Sequence, residues 1–223
     1  KDSLKNIEYI VTEKIEKEFL KGRDDAGRNS LSKMVAINEI TALLNHDIED
    51  LKEHTLQIKM LEEKLTAELD LTINDKPETV KLEGRVDRID LYDNILRIID
   101  YKTGAVSDTE LKSDSPLKRG SKNKLFQILL YAWIYSKGKT FSKANDYKAG
   151  ILPLEHLTGE ILYANYEHSD ILDSTTLEKF EGELAELLTE LLNPDVPMSA
   201  TKGSTTCQYC AFKSICGDPY TTT

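Results

Sequence analysis

The chain has 223 residues, enough for one well-buried globular domain with a helical annex and too few for two large independent domains. Apolar residues make up 39% and charged residues 30%, with 11 Gly and 6 Pro, which excludes a disordered, fibrous or low-complexity chain. A net charge of -10 excludes a surface that binds nucleic acid nonspecifically over its whole extent, because phosphate binding draws on clustered Lys and Arg; a local basic groove is still compatible with it.

From Leu4 to Leu20 the positions Leu4, Ile7, Ile10, Val11, Ile15, Phe19 and Leu20 recur at helical spacing, and Gly22 is the expected stop. The chain opens on Lys1 inside this pattern, as expected of a segment of a longer polypeptide. A second helix is expected after Asn29 or Ser30, good N-cap residues, with Leu31, Met34, Val35, Ile37, Ile40, Leu43 and Leu44 on a broad apolar face, ending before His54. Past Ile58 the rhythm changes to period two: Leu65, Ala67, Leu69, Leu71 and Ile73 alternate with polar residues until Asn74, Asp75 and Pro77, which predicts a half-buried strand.

Two further strands are predicted, Val80 to Tyr92 and Ile95 to Tyr101, joined by Asp93 and Asn94, a pair that tolerates positive φ and suits a two-residue hairpin turn. The stretch from Thr103 to Asn123, rich in Gly, Ser, Asp and Lys, reads as a long loop leading to a helix at Lys124 to Tyr135. Strands near Ala149 to Pro153 and Glu160 to Asn165, a helix from Thr176 to Leu192 and an irregular tail holding every Cys complete the chain. The longest apolar run, Ile128 to Tyr135, is far short of the ~20 residues of a membrane-spanning helix, and no signal-peptide pattern opens the chain. A cytoplasmic protein without membrane contact is therefore expected.

The hairpin carries the chemistry. With a two-residue loop at 93 and 94, residue 92 faces 95, and counting back sets Asp87 across from Asp100, their β-carbons ~5 Å apart on one face. Lys102 lies two residues beyond Asp100 and projects from that same face. Charged residues of this kind are by default solvated on an open face. Here Ile89, Leu91, Leu96 and Ile98 share the face of the charged trio, while Val86, Ile95 and Ile99 are expected to point the other way, so both faces of the hairpin read as buried. Two carboxylates ~5 Å apart repel by roughly 3 kcal/mol at an effective dielectric of 20. A hard divalent cation such as Mg, Mn or Ca relieves that repulsion best, and Mg binds through one or two carboxylates plus substrate phosphate.

Three segments in order carry a family resemblance: Gly84-Arg85-Val86-Asp87-Arg88-Ile89-Asp90, Ile98-Ile99-Asp100-Tyr101-Lys102-Thr103-Gly104, and Gln127-Ile128-Leu129-Leu130-Tyr131. Together they resemble the PD-(D/E)xK nuclease superfamily, specifically its RecB/AddB-like branch, over roughly Leu61 to Gly217. The resemblance implies an α/β restriction-endonuclease-like fold, a mixed β-sheet flanked by α-helices, with an N-terminal helical segment. It implies metal ligation by Asp87, Asp100 and the backbone carbonyl of Tyr101, catalytic assistance by Lys102, and a Q-x-x-x-Y element at Gln127 and Tyr131, which share a helix face at i and i+4. An acidic ligand on the preceding strand is also implied, with Glu63 the candidate and Glu62 its competitor. The family's upstream histidine has no good counterpart, since His46 and His54 lack its sequence setting.

Cys207, Cys210 and Cys216 form C-x2-C-x5-C, a spacing suited to thiolate ligands on one metal centre. The AddB-like relatives hold a [4Fe-4S] cluster with three such cysteines plus one far upstream, and that fourth cysteine is absent here, so the cluster of the full-length protein is expected to be incomplete in this chain. Zinc with a borrowed ligand and three thiols filling apolar gaps are the alternatives. Lys112, Lys118, Arg119, Lys122 and Lys124 form either a phosphate-facing patch or a solvated loop.

The expected organisation is an N-terminal helical segment at 1–55 packed on the core, a nuclease core at 56–200 and a Cys-containing tail at 201–223. The expected function is Mg- or Mn-dependent hydrolysis of DNA phosphodiesters, as the nuclease part of an AddB- or RecB-like helicase-nuclease with a helicase partner subunit or domain. The alternatives are a DNA-end-binding domain that does not cut and a structural domain of a repair complex.

Overall fold

The computed structural model describes residues 3–21, 27–117, 122–138, 147–154, 160–197 and 210–211. The first helical pattern divides into a 3-10 turn at Ser3–Asn6, helix α1 at Ile7–Lys14 and a π-helical segment at Ile15–Leu20. Lys21, at φ 48, takes the left-handed conformation that ends it; Gly22, the expected stop, lies outside the described residues. Helix α2 spans Arg28–Asp50 and starts ahead of Asn29 and Ser30, from Gly27 at φ 65, a conformation that glycine adopts without a Cβ penalty. Its expected apolar face is only partly covered: Leu31, Met34 and Val35 are exposed. The C-terminal end of α2 is the part that meets the sheet, through Asp47.

Strands β1 (Leu56–Ile73) and β2 (Lys76–Tyr92) are longer than their apolar alternation predicts and form one antiparallel ribbon, turning through Asn74 and Asp75 at φ 50 and 61. Pro77 falls inside β2, near the turn, where it pairs with Thr72. The next reversal, into β3 (Ile95–Lys102), runs through Asp93 and Asn94 at φ 46 and 70, the two positive values that a type I′ turn requires. The Asp93 carboxylate also accepts the Thr55 N–H at 2.8 Å, which ties this turn to the start of β1.

The stretch after β3 is more ordered than its loop composition suggests. Ser107 and Glu110 form a reciprocal capping box over a 3-10 turn at Asp108–Leu111, and Leu111 is fully buried. Strand β4 (Lys112–Ser113) follows and pairs in parallel with β7 (Asn165–Tyr166). Helix α3 spans Asn123–Lys137, β5 Tyr147–Pro153, β6 Leu162–Tyr163 and α4 Ser174–Leu192, the last capped by the Asp173 carboxylate on Thr176 N–H at 2.8 Å.

The main sheet has the order β1-β2-β3-β5-β6, with β3 and β5 parallel and the other neighbours antiparallel. The crossover from β3 to β5 carries α3, as parallel neighbours require a long connection. Helices α3 and α4 cover one face, α1 packs on α2, and α2 reaches the opposite face. This is a mixed sheet flanked by helices, the α/β restriction-endonuclease-like architecture expected, with its N-terminal helices in place.

The core lies between the sheet and α3–α4, around Trp133, Phe180, Ile128, Ile89 and Ile98. Trp133 satisfies its buried indole by donating to Glu181 at 2.7 Å. Val86 corrects the expected alternation: it belongs to the same core as Ile89 and Ile98 rather than to the opposite face. Strand β2 therefore changes sides between Val86 and Ile89. Glu62, opposite Asp87 in the β1–β2 register, sits at φ 52, and the register itself shifts between Ile58 and Met60, opposite Asp90 and Ile89. Among the described residues no helix is long and apolar enough to cross a membrane.

Gly150 of β5 permits the close approach of β6: a Cβ there would lie 2.6 Å from the Leu162 carbonyl oxygen. Backbone cannot yield as a flexible side chain can, so Gly150→Ala is expected to lower stability by about 1–3 kcal/mol, measured by denaturant unfolding. An unchanged midpoint would show that β6 is not held there.

Candidate functional site

The β2–β3 register runs from Tyr92–Ile95 to Arg88–Ile99 and ends one residue short of Asp87 and Asp100, whose carboxylates are close enough for Asp87 to raise the proton affinity of Asp100. The structure fixes the first carboxylate through the backbone of the facing strand: Asp87 Oδ2 accepts the Tyr101 N–H at 2.7 Å. Asp100 is 3% exposed although it is a carboxylate, and Asp87 is half-buried. Lys102 lies on the same face as Asp100, its Nζ 2.7 Å from Asp100 Oδ2. The Lys102 ammonium is thus the partner of that buried oxygen.

Burial pushes the Asp100 carboxyl above the ordinary carboxylate range; the Lys102 ammonium offsets part of this, and Asp87 adds to it. A buried carboxylate beside a second carboxylate is an oxygen donor set of the kind a hard dication takes, so the residues present fit Mg or Mn.

Helix α3 closes the site from the core side. Gln127 donates through Nε2 to Tyr131 Oη at 2.8 Å and, at 3.3 Å, to Asp100 Oδ1. The Tyr131 ring lies over Gly84: a Cβ at residue 84 would come 2.7 Å from Tyr131 Cε1. The glycine three residues before Asp87 is therefore a packing requirement of the α3 tyrosine, and all three sequence segments meet through Gly84, Tyr131, Gln127 and Asp100. The glycine's partner was not legible in the sequence, because it depends on how α3 sits on β2.

Glu63 lies on β1, paired with Val86, and is exposed. Among the described residues no group of three or more His, Cys, Asp or Glu is gathered to hold a metal, so the carboxylate pair stands without Glu63 beside it. The lysines near the loop turn toward the protein's own acceptors. Lys124 pairs with Glu110 at 2.8 Å, Lys122 donates to the Thr109 carbonyl, and Lys112 pairs with Asp108. Lys118 and Arg119 lie outside the described residues. Cys210 is exposed, and Cys207 and Cys216 lie outside the described residues.

The opposite face of the hairpin carries a group that the sequence reading passed over. Asp90, fully buried, receives Arg88 Nε at 2.6 Å and Arg97 Nε at 2.7 Å, and Arg88 Nη1 reaches Asp47 of α2 at 2.8 Å. Burial opposes the charge on Arg88, but Tyr101 and Asp47 raise its pKa above the ordinary arginine value. The same residue count that faced Asp87 with Asp100 also faces Asp90 with Arg97, so this pair was open to detection.

The family model of the PD-(D/E)XK nuclease superfamily matches residues 5–217. The crystal structure of SSO0001 is similar at 17% identity over 94% of this chain and 95% of that one, with a TM-score of 0.32. No curated protein matches the chain.

Two outcomes test the geometry. Because the folded-state pKa of Asp100 is raised, the wild type loses stability as pH climbs from the ordinary carboxylate pKa of about 4 through the folded value. Metal-free Asp100→Asn should therefore melt higher than wild type at neutral pH, with the difference vanishing in acid, as followed by calorimetry in chelator. A constant difference at all pH values would contradict the burial argument. Gly84→Ala should displace the Tyr131 ring and lower stability by about 1–3 kcal/mol, whereas Gly84→Ala paired with Tyr131→Ala should recover part of that loss in a double-mutant cycle.

Proposed function

The chain belongs to the PD-(D/E)XK nuclease superfamily, whose model spans residues 5–217, and from that premise we propose that it is a divalent-metal-dependent deoxyribonuclease. The observation that carries this reading is the buried Asp100 carboxylate, paired with Lys102 at 2.7 Å and close enough to Asp87 to feel its charge. A binding module gains nothing from crowding carboxylates where DNA phosphates must approach. A nuclease needs them to hold a cation.

Asp87, Asp100 and the Tyr101 carbonyl would hold Mg or Mn, with Glu63 the acidic residue that the resemblance would add. When bound, the metal supplies Lewis-acid polarisation of the phosphoryl group and acidifies water. The protein's own residues prepare the rest. Tyr101 N–H fixes one Asp87 oxygen and so directs the other toward the shared site. Gln127 orients Asp100 through Oδ1 and is itself held by Tyr131. Lys102, 30% exposed at its side chain, is close enough to Asp100 to be positioned and open enough to reach a phosphate, where it would balance charge developing in the transition state.

The order of the three segments supports placement in the RecB/AddB-like branch, as the nuclease part of a helicase-nuclease acting in DNA repair with a helicase partner subunit or domain. In that setting the three tail cysteines would contribute to a [4Fe-4S] cluster completed from elsewhere.

The test is cleavage of linear single- and double-stranded DNA with Mg or Mn. Asp87→Asn, Asp100→Asn and Lys102→Met should each lower the rate by roughly 100-fold or more, and chelation should abolish it. DNA binding without metal-dependent cutting by the wild type would instead identify a domain that holds DNA ends.

A further inference from the structure

We propose that the buried chain of charges Asp47, Arg88, Asp90 and Arg97 is a positioning device that aims Asp87 and Tyr101 into the metal site from the opposite face of the sheet. The inference rests on the nuclease reading and deepens it by adding residues that touch neither metal nor DNA.

Strand β2 is irregular where it matters. Val86 and Ile89 both enter the core between the sheet and α3–α4, and Glu62 opposite Asp87 is at φ 52, so regular alternation does not set the direction of Asp87. Something else must set the rotation of the strand there. Arg88, the next residue, is 3% exposed and held by three groups: Asp90 through Nε at 2.6 Å, Asp47 through Nη1 at 2.8 Å and the Tyr101 hydroxyl at 3.4 Å. Tyr101 is in turn bound from both sides, its N–H to Asp87 and its hydroxyl to Arg88. The contacts close a ring through the sheet: Asp87, Tyr101, Arg88 and back along the chain to Asp87.

Arg97, on β3 directly across from Asp90, donates to both of its carboxylate oxygens, at 2.7 and 2.9 Å, and stacks its guanidinium 3.9 Å above the Tyr92 ring. A buried network of this kind is seldom a net source of stability, because desolvating the charges costs about as much as their attraction returns. Orientation is what it supplies here, since each guanidinium fork accepts only one arrangement of its partners. Asp47 brings helix α2 into the device. Beside it a cavity of about 230 Å³, lined by His46, Asp50, Arg88, Arg97 and Tyr163 among others, gives small solutes access to the guanidinium groups.

Mn²⁺ affinity, measured by calorimetry on the 223-residue chain without DNA, is the direct readout. Asp47→Asn removes one charge at a side chain that is 20% exposed. It should keep the fold by circular dichroism, weaken Mn²⁺ binding by roughly 10–100-fold and lower kcat with little change in KM for DNA. Asp47→Glu should stay near wild type. Arg88→Lys, which keeps the charge but not the fork, is read the same way should Asp47→Asn unfold. Arg97→Ala should regain Mn²⁺ affinity with millimolar guanidinium, which a general packing defect would not. Folded Asp47→Asn and Arg88→Lys with wild-type Mn²⁺ affinity would overturn the positioning role while leaving the nuclease reading intact. A wild type that binds no Mn²⁺ would overturn both.

Discussion

Asp100 is a carboxylate at 3% exposure with a second carboxylate across the ribbon and a single ammonium beside it. Burial outweighs the lysine in setting its proton affinity, so the folded protein carries a site that is strained toward either a proton or a cation. Gln127 of α3 and Lys102 of β3 hold that carboxylate at its two oxygens.

The hairpin has two working faces. Toward α3 it presents Asp87, Asp100 and Lys102, tied to Gln127 and Tyr131. Toward α2 it presents Arg88, Asp90 and Arg97, tied to Asp47. Tyr101 joins the two directly, its N–H donating to Asp87 and its hydroxyl accepting from Arg88. The site is thus held across the thickness of the sheet rather than by its immediate neighbours alone.

For a nuclease, an acidic chain of net charge -10 would have to approach DNA through local features. Among the described residues of the loop, Lys112, Lys122 and Lys124 are engaged by Asp108, the Thr109 carbonyl and Glu110. With the capping box at Ser107 and the buried Leu111, the contacts of Lys122 and Lys124 tie residues 107–111 to the start of α3. These surface ion pairs are individually weak, so a phosphate could compete for the same lysines.

The sequence alone determined the hairpin and its turn, because a two-residue loop of Asp93 and Asn94 leaves a single register from Tyr92–Ile95 to Arg88–Ile99. Its period-two and period-3.6 patterns marked the strands and helices one by one, while the mixed sheet with its flanking helices came from the resemblance carried by the three motif segments. Only the tertiary structure decided that Val86 shares the core with Ile89, that Tyr131 requires Gly84 to lack a side chain, and that Asp47 reaches Arg88 across 41 residues of chain. It also decided that much of the apolar face of α2 stays uncovered, with Leu31, Met34 and Val35 exposed. The physical reason is common to all four: each depends on the docking of one element against another, and a local pattern records which residues seek burial but not which surface will provide it.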